Sequence, residues 1–73
     1  MSNLLGSLEV VLNGQPRTIA EGQTLLNLVC SLDLEPARVA VELDGRIVKR
    51  DHWDETPLLA GARLELVHFV GGG

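Results

Sequence analysis

The sequence predicts an α+β fold: a mixed sheet of about five strands, one helix packed on one face, and a flexible C-terminal tail. Three observations predict it. Apolar residues alternate in short runs, and two pairs of these runs meet at an Asn-Gly or an Asp-Gly dipeptide. One stretch between the pairs switches to helical spacing. The last run passes directly into three glycines, Gly71, Gly72 and Gly73. With 73 residues, 45% of them apolar and 22% charged, the chain suits one small domain with a core, and it is too apolar for the disordered class.

The elements follow in order. Leu8, Val10 and Leu12 alternate with Ser7, Glu9 and Val11, and Asn13-Gly14 follows with the two residues that a tight hairpin turn needs. Residues 17–20 pair back on the first strand, and Pro16, which has no amide donor, suits the hairpin start or a sheet edge. Thr24 can cap a helix, after which Leu25, Leu28, Val29 and Leu32 form one stripe, and residues 33–36 end it. A second hairpin places Val39, Val41 and Leu43 against Ile47 and Val48 across Asp44-Gly45. A connection with a short turn around Trp53, read as a packing anchor, and a bend at Gly61 leads to the last strand. There Leu64 and Leu66 take one face, and Glu65, Val67 and Phe69 the other.

This order of elements is that of the ubiquitin-like β-grasp, in which the first and last strands lie side by side. Residues 1–70 are expected to form that single domain, and residues 71–73 a flexible tail leaving a central strand. One sheet face is left without a helix. If Leu8, Val10, Leu64 and Leu66 face the helix, then Val11, Val67 and Phe69 face away, and with Val70 they are candidate partner-docking residues.

Chemistry within the domain is harder to find. The single cysteine, Cys30, can neither staple the fold nor build a structural metal site, and it reads as a small core or boundary residue. His68 reads as a strand-face residue. His52 stands among Asp51, Asp54 and Glu55, but the spacing matches no metal motif. Trp53 and Phe69 are too few for a base-stacking platform, and no helix follows the glycines to hold a phosphate. The net charge of -4 disfavours nucleic acid. Arg46, Lys49 and Arg50 read as a solvated strand face or a protein contact. The opening residues lack the basic segment of a secretory signal, and no run approaches the ~20 apolar residues of a membrane span. The expectation is a cytoplasmic protein that is monomeric when alone, with no catalytic residue, metal or cofactor of its own.

The tail offers another route. A glycine carboxylate is inert until it is activated, and residues without Cβ can thread a narrow channel and leave the carbonyl open to attack. Such a domain carries a reactive group for other proteins.

On these residues the chain resembles the ThiS family of sulfur carriers in thiamine biosynthesis. The likeness rests on "VVLNG", "EGQTLLNLV", "VAVELDGRIVKRDHW" and "LELVHFVGGG", and covers nearly everything after residue 7. It implies that a ThiF-like adenylyltransferase uses ATP to adenylate Gly73, that a sulfur-donating enzyme converts the adenylate to a thiocarboxylate, and that a ThiG-like thiazole synthase accepts the sulfur. Gly71 and Gly72 would then serve threading. Ala62 stands where the family often carries Asp, which is expected to loosen the turn before the last strand; Asp44-Gly45 replaces the commoner Asn-Gly, and residues 1–7 extend beyond the usual start. Three rivals remain: a MoaD-like subunit of molybdopterin synthase, a ubiquitin-like protein modifier, and an interaction domain with an inert tail.

Overall fold

The computed structural model of the chain describes residues 6–69. Five strands, β1 (Ser7–Leu12), β2 (Gln15–Ala20), β3 (Val39–Leu43), β4 (Arg46–Val48) and β5 (Arg63–His68), form one sheet in the order β2-β1-β5-β3-β4. Every neighbouring pair is antiparallel except the central pair of β1 and β5, which is parallel. The fold is the ubiquitin-like β-grasp, with its first and last strands side by side.

Both hairpins turn as their dipeptides predict. Asn13 and Gly14 have φ of 49° and 83°, and Asp44 and Gly45 have 50° and 86°. Positive φ at both turn positions matches the twist of the flanking strands. Pro16 lies on β2, an edge strand, where a residue without an N–H is tolerated. Strand β2 starts two residues earlier than the alternation suggests, because the turn closes directly on Leu12 and Gln15.

Helix α1 (Leu25–Ser31) has only seven residues, too few to persist alone in water. Two things hold it. Thr24 Oγ1 accepts from the Asn27 N–H at 3.2 Å, and Asn27 Oδ1 accepts from the Thr24 N–H at 3.0 Å, a reciprocal cap. Leu25, Leu28 and Val29 are fully buried against the sheet, each contributing about 2 kcal/mol of transfer free energy. The helix stops at Leu32, and Asp33 follows in the left-handed region at φ 60°. Pro36–Arg38 then form a short 3₁₀ turn.

Cys30 departs from the expectation of a core or boundary residue, for it is exposed. At about 100° per residue it lies about 140° round the helix from Leu25, away from the buried stripe.

Trp53 is buried at the centre of a second 3₁₀ segment, Arg50–Glu55, which packs against α1. Its indole Nε1–H donates to the Val48 carbonyl at 2.9 Å, so the ring is buried with its one polar atom satisfied. The following loop is tied to the helix entrance: Leu25 N–H donates to Thr56 O at 2.8 Å, Leu58 N–H to Gln23 O at 3.0 Å. Leu58 thereby joins the core with Val10, Ile19, Val39, Val41 and Leu64.

The turn into β5 is not loose at Ala62. That side chain is buried, its N–H donates to Leu59 O at 3.1 Å, and its carbonyl accepts from Val11 N–H at 2.8 Å. Asp44, from the other side, accepts the Arg63 N–H at 2.9 Å through Oδ1. The carboxylate that caps this turn comes from the β3–β4 hairpin instead of from position 62.

Candidate functional site

The site is built on β5, because that strand runs towards the glycines. Its residues alternate across the sheet: Leu64 and Leu66 pack with the core, while Glu65, Val67 and Phe69 fall on the face that carries no helix. Strand β3 pairs with β5 along its whole length, from Leu43↔Leu64 to Val39↔His68, and Phe69 N–H continues the ladder to Arg38 O at 2.7 Å. Strand β1 pairs with it only at Arg63 and Leu64.

On the uncovered face Val67 is 54% exposed and Phe69 57%, as strand parity predicts for docking residues. Val11 is on the same face but half-buried, between Pro16 on β2 and Arg63 on β5. Val70, Gly71, Gly72 and Gly73 lie outside the described residues. Two exposed apolar residues are not singled out by the sequence: Leu59 in the loop before β5, and Ile47 on β4, 77% exposed. The second shares the uncovered face, opposite Glu42. Its alternation with half-buried Val48 carried that signal, but a three-residue edge strand offers too few positions for a periodicity to be read. Between Ile47 and β5, Glu42 stands directly opposite Glu65. The ladder bonds at Phe69–Arg38 and Asp44–Arg63 make theirs a hydrogen-bonded pair, with Cα atoms about 5.5 Å apart. Two carboxylates so placed repel each other.

The titratable groups weighed for chemistry are scattered. His68 is exposed at the end of β5, Cys30 is exposed on the far side of α1, and His52 Nδ1 lies 3.2 Å from Glu55 Oε2 on the surface of the 3₁₀ segment. Among the described residues no three His, Cys, Asp or Glu side chains gather as a metal site needs. Arg46, Lys49 and Arg50 are exposed at and just after β4, the edge strand opposite β2, where cations discourage edge-to-edge pairing. Among the described residues no helix is long and apolar enough to cross a membrane.

A five-stranded β-grasp with one face covered by a helix, the other presenting Val67 and Phe69, and a central strand aimed at a run of glycines defines a small ubiquitin-like domain. Within that class the chain belongs to the ThiS family, whose model matches residues 10–73. It is 29% identical to the sulfur carrier protein ThiS of Escherichia coli, over 90% of this chain and 100% of that one. A thiazole synthase of Magnetococcus marinus contains a stretch 36% identical to 90% of this chain, which spans only 20% of the synthase's length. The crystal structure of the thiamine biosynthesis protein ThiS from Geobacter metallireducens superposes with a TM-score of 0.74 at 30% identity, over 90% of this chain and 100% of that one.

Proposed function

We propose that this chain is a cytoplasmic sulfur carrier for thiazole formation in thiamine biosynthesis, a protein cosubstrate and not an enzyme. The observation that carries the reading is a ThiS-family chain in which a central strand, with exposed apolar residues on the free face, leads into Gly71, Gly72 and Gly73. In this reading a ThiF-like adenylyltransferase docks on Val11, Val67, Phe69 and Val70. The carboxylate of Gly73 attacks the α-phosphorus of ATP, pyrophosphate leaves, and an acyl adenylate results. Sulfide delivered by the donor enzyme attacks the acyl carbon, AMP and a proton leave, and the thiocarboxylate that remains is consumed by a ThiG-like thiazole synthase. ATP belongs to the activating partner, and the carrier holds no cofactor.

The thiazole synthase is supported as acceptor by the Magnetococcus protein, in which a similar stretch lies within one polypeptide of that name. Tethering a carrier to its acceptor raises their effective concentration and makes sense only if the two work together. A MoaD-like subunit would use the same tail, but the family match favours the thiazole route.

The test is an intact-mass measurement after incubation with ATP, an adenylyltransferase of this type and a sulfur donor. Exchange of one oxygen for sulfur at the C-terminus is expected. An unchanged mass, under conditions that convert the Escherichia coli carrier, would sink the proposal, and adducts on lysine would point to a protein modifier instead.

A further inference from the structure

Strand β5 is held on both edges as it approaches the glycines, by β1 on one side and β3 on the other. Strand β1 runs out at Leu12, which is paired with Leu64, and the hairpin turn begins at Asn13. Asn13 then makes two bonds to β5. Its backbone N–H donates to Leu64 O at 2.8 Å, and its side-chain Oδ1 accepts from Leu66 N–H at 2.8 Å. With φ at 49° the backbone of Asn13 has already turned away, so the side chain supplies the acceptor that one more strand residue would have supplied.

Past Leu66 the two edges of β5 differ. On the β3 side the ladder continues through His68 and, among the described residues, reaches as far as Phe69 N–H on Arg38 O. On the β1 side, among the described residues, the Asn13 amide oxygen is the last group to hold the strand. A strand held on one edge pivots about that edge, so the direction in which the chain continues beyond Phe69 depends on where the second edge is released.

We infer that Asn13 is a positioning residue for transfer through the tail, fixing the direction in which β5 leads out of the sheet. The inference rests on the carrier reading above. Without the Asn13 acceptor the strand end samples more directions, and only some of them present the tail to a partner's channel. Apparent affinity then falls by the competent fraction, whereas the rate once bound is kept. The effect therefore belongs in KM and not in kcat.

The fold contains its own control. Asp44 has the same turn conformation, at φ 50°, and the same pair of bonds to β5: its N–H donates to Arg63 O at 2.8 Å and its Oδ1 accepts from Arg63 N–H at 2.9 Å. It holds the start of the strand, however, at the end remote from the tail. A loosening of the sheet in general would follow from losing either bond, but a change in take-off direction follows only from losing the one at Asn13.

Three variants separate these outcomes: Asn13→Gly and Asp44→Gly, which suit positive φ and remove the acceptor, and Asn13→Asp, which keeps an acceptor oxygen and tolerates the left-handed turn. Pyrophosphate release by the adenylyltransferase is measured against carrier concentration. Asn13→Gly is expected to raise KM about fivefold, the population factor of one ordinary hydrogen bond, with kcat within about twofold. Asn13→Asp should restore KM, and Asp44→Gly should leave it unchanged. Amide exchange at Leu66 should quicken in Asn13→Gly, a readout that needs no partner. Equal rises in KM for the two glycine variants would overturn the inference, as would an unchanged KM despite faster exchange at Leu66. If the unsubstituted chain is not adenylated at all, the carrier reading fails first and takes this inference with it.

Discussion

The two faces of the sheet are made by the same strands, residue by alternate residue, yet they obey different rules. On the helix side Val10, Val41 and Leu64 are almost completely buried, and Trp53 satisfies its one polar atom within the fold. On the other side Val67, Phe69 and Ile47 stand in solvent, and Glu42 faces Glu65 with no ion pair to either among the described residues. The first face is optimised for the chain's own stability. The second keeps exposed apolar residues and a like-charge pair that do not serve the domain's own stability. That contrast can be broken from either side.

The largest effect should come from the covered face. Trp53→Ala removes a buried ring together with its indole bond to the Val48 carbonyl, and it should cost about 3–5 kcal/mol in denaturant unfolding, enough to unfold so small a domain. Next comes Phe69→Ala on the open face. Its unfolding free energy should stay within about 0.5 kcal/mol of the parent, while binding to the adenylyltransferase, followed by calorimetry, weakens about tenfold or more. A large loss of stability with unchanged binding would erase the distinction between the faces. The smallest effect is the sharpest test: Glu65→Gln relieves the repulsion from Glu42 and should raise stability by a few tenths of a kcal/mol. A decrease would mean that the two carboxylates are not working against each other.

The regular parts of this fold were legible because each is recorded locally. Alternation marks the strands, Asn13-Gly14 and Asp44-Gly45 mark the hairpins, and Thr24 marks the start of the helix. Asn27 escaped notice because the reciprocal partner of a capping threonine is more often Glu or Gln. Cys30 was misplaced because its nearness in sequence to Val29 hides a turn of about 100°. Leu58 looked like a loop residue, and its burial comes from the bond of its own amide to Gln23, far back in the chain. The same holds for Asn13, whose side chain meets Leu66 across 53 residues of sequence. Val67 and Phe69 are exposed on the face where parity placed them. The tail itself lies outside the described residues, so the proposal for its chemistry rests on the family match and on the strand that precedes it.

The parallel pairing of β1 with β5 has a consequence for how the protein is made. Of the five described strands the one at the centre of the sheet is synthesised last, and until it emerges from the ribosome the β1–β2 hairpin and the β3–β4 hairpin have no strand between them. Closing the sheet waits on contacts between the two ends of the sequence, the kind that form slowly. A truncated product lacking β5 would be two hairpins around a gap, open to proteases. The closed sheet thus records that translation has passed β5, and a partner that recognises it selects chains translated through the strand that leads to the glycines.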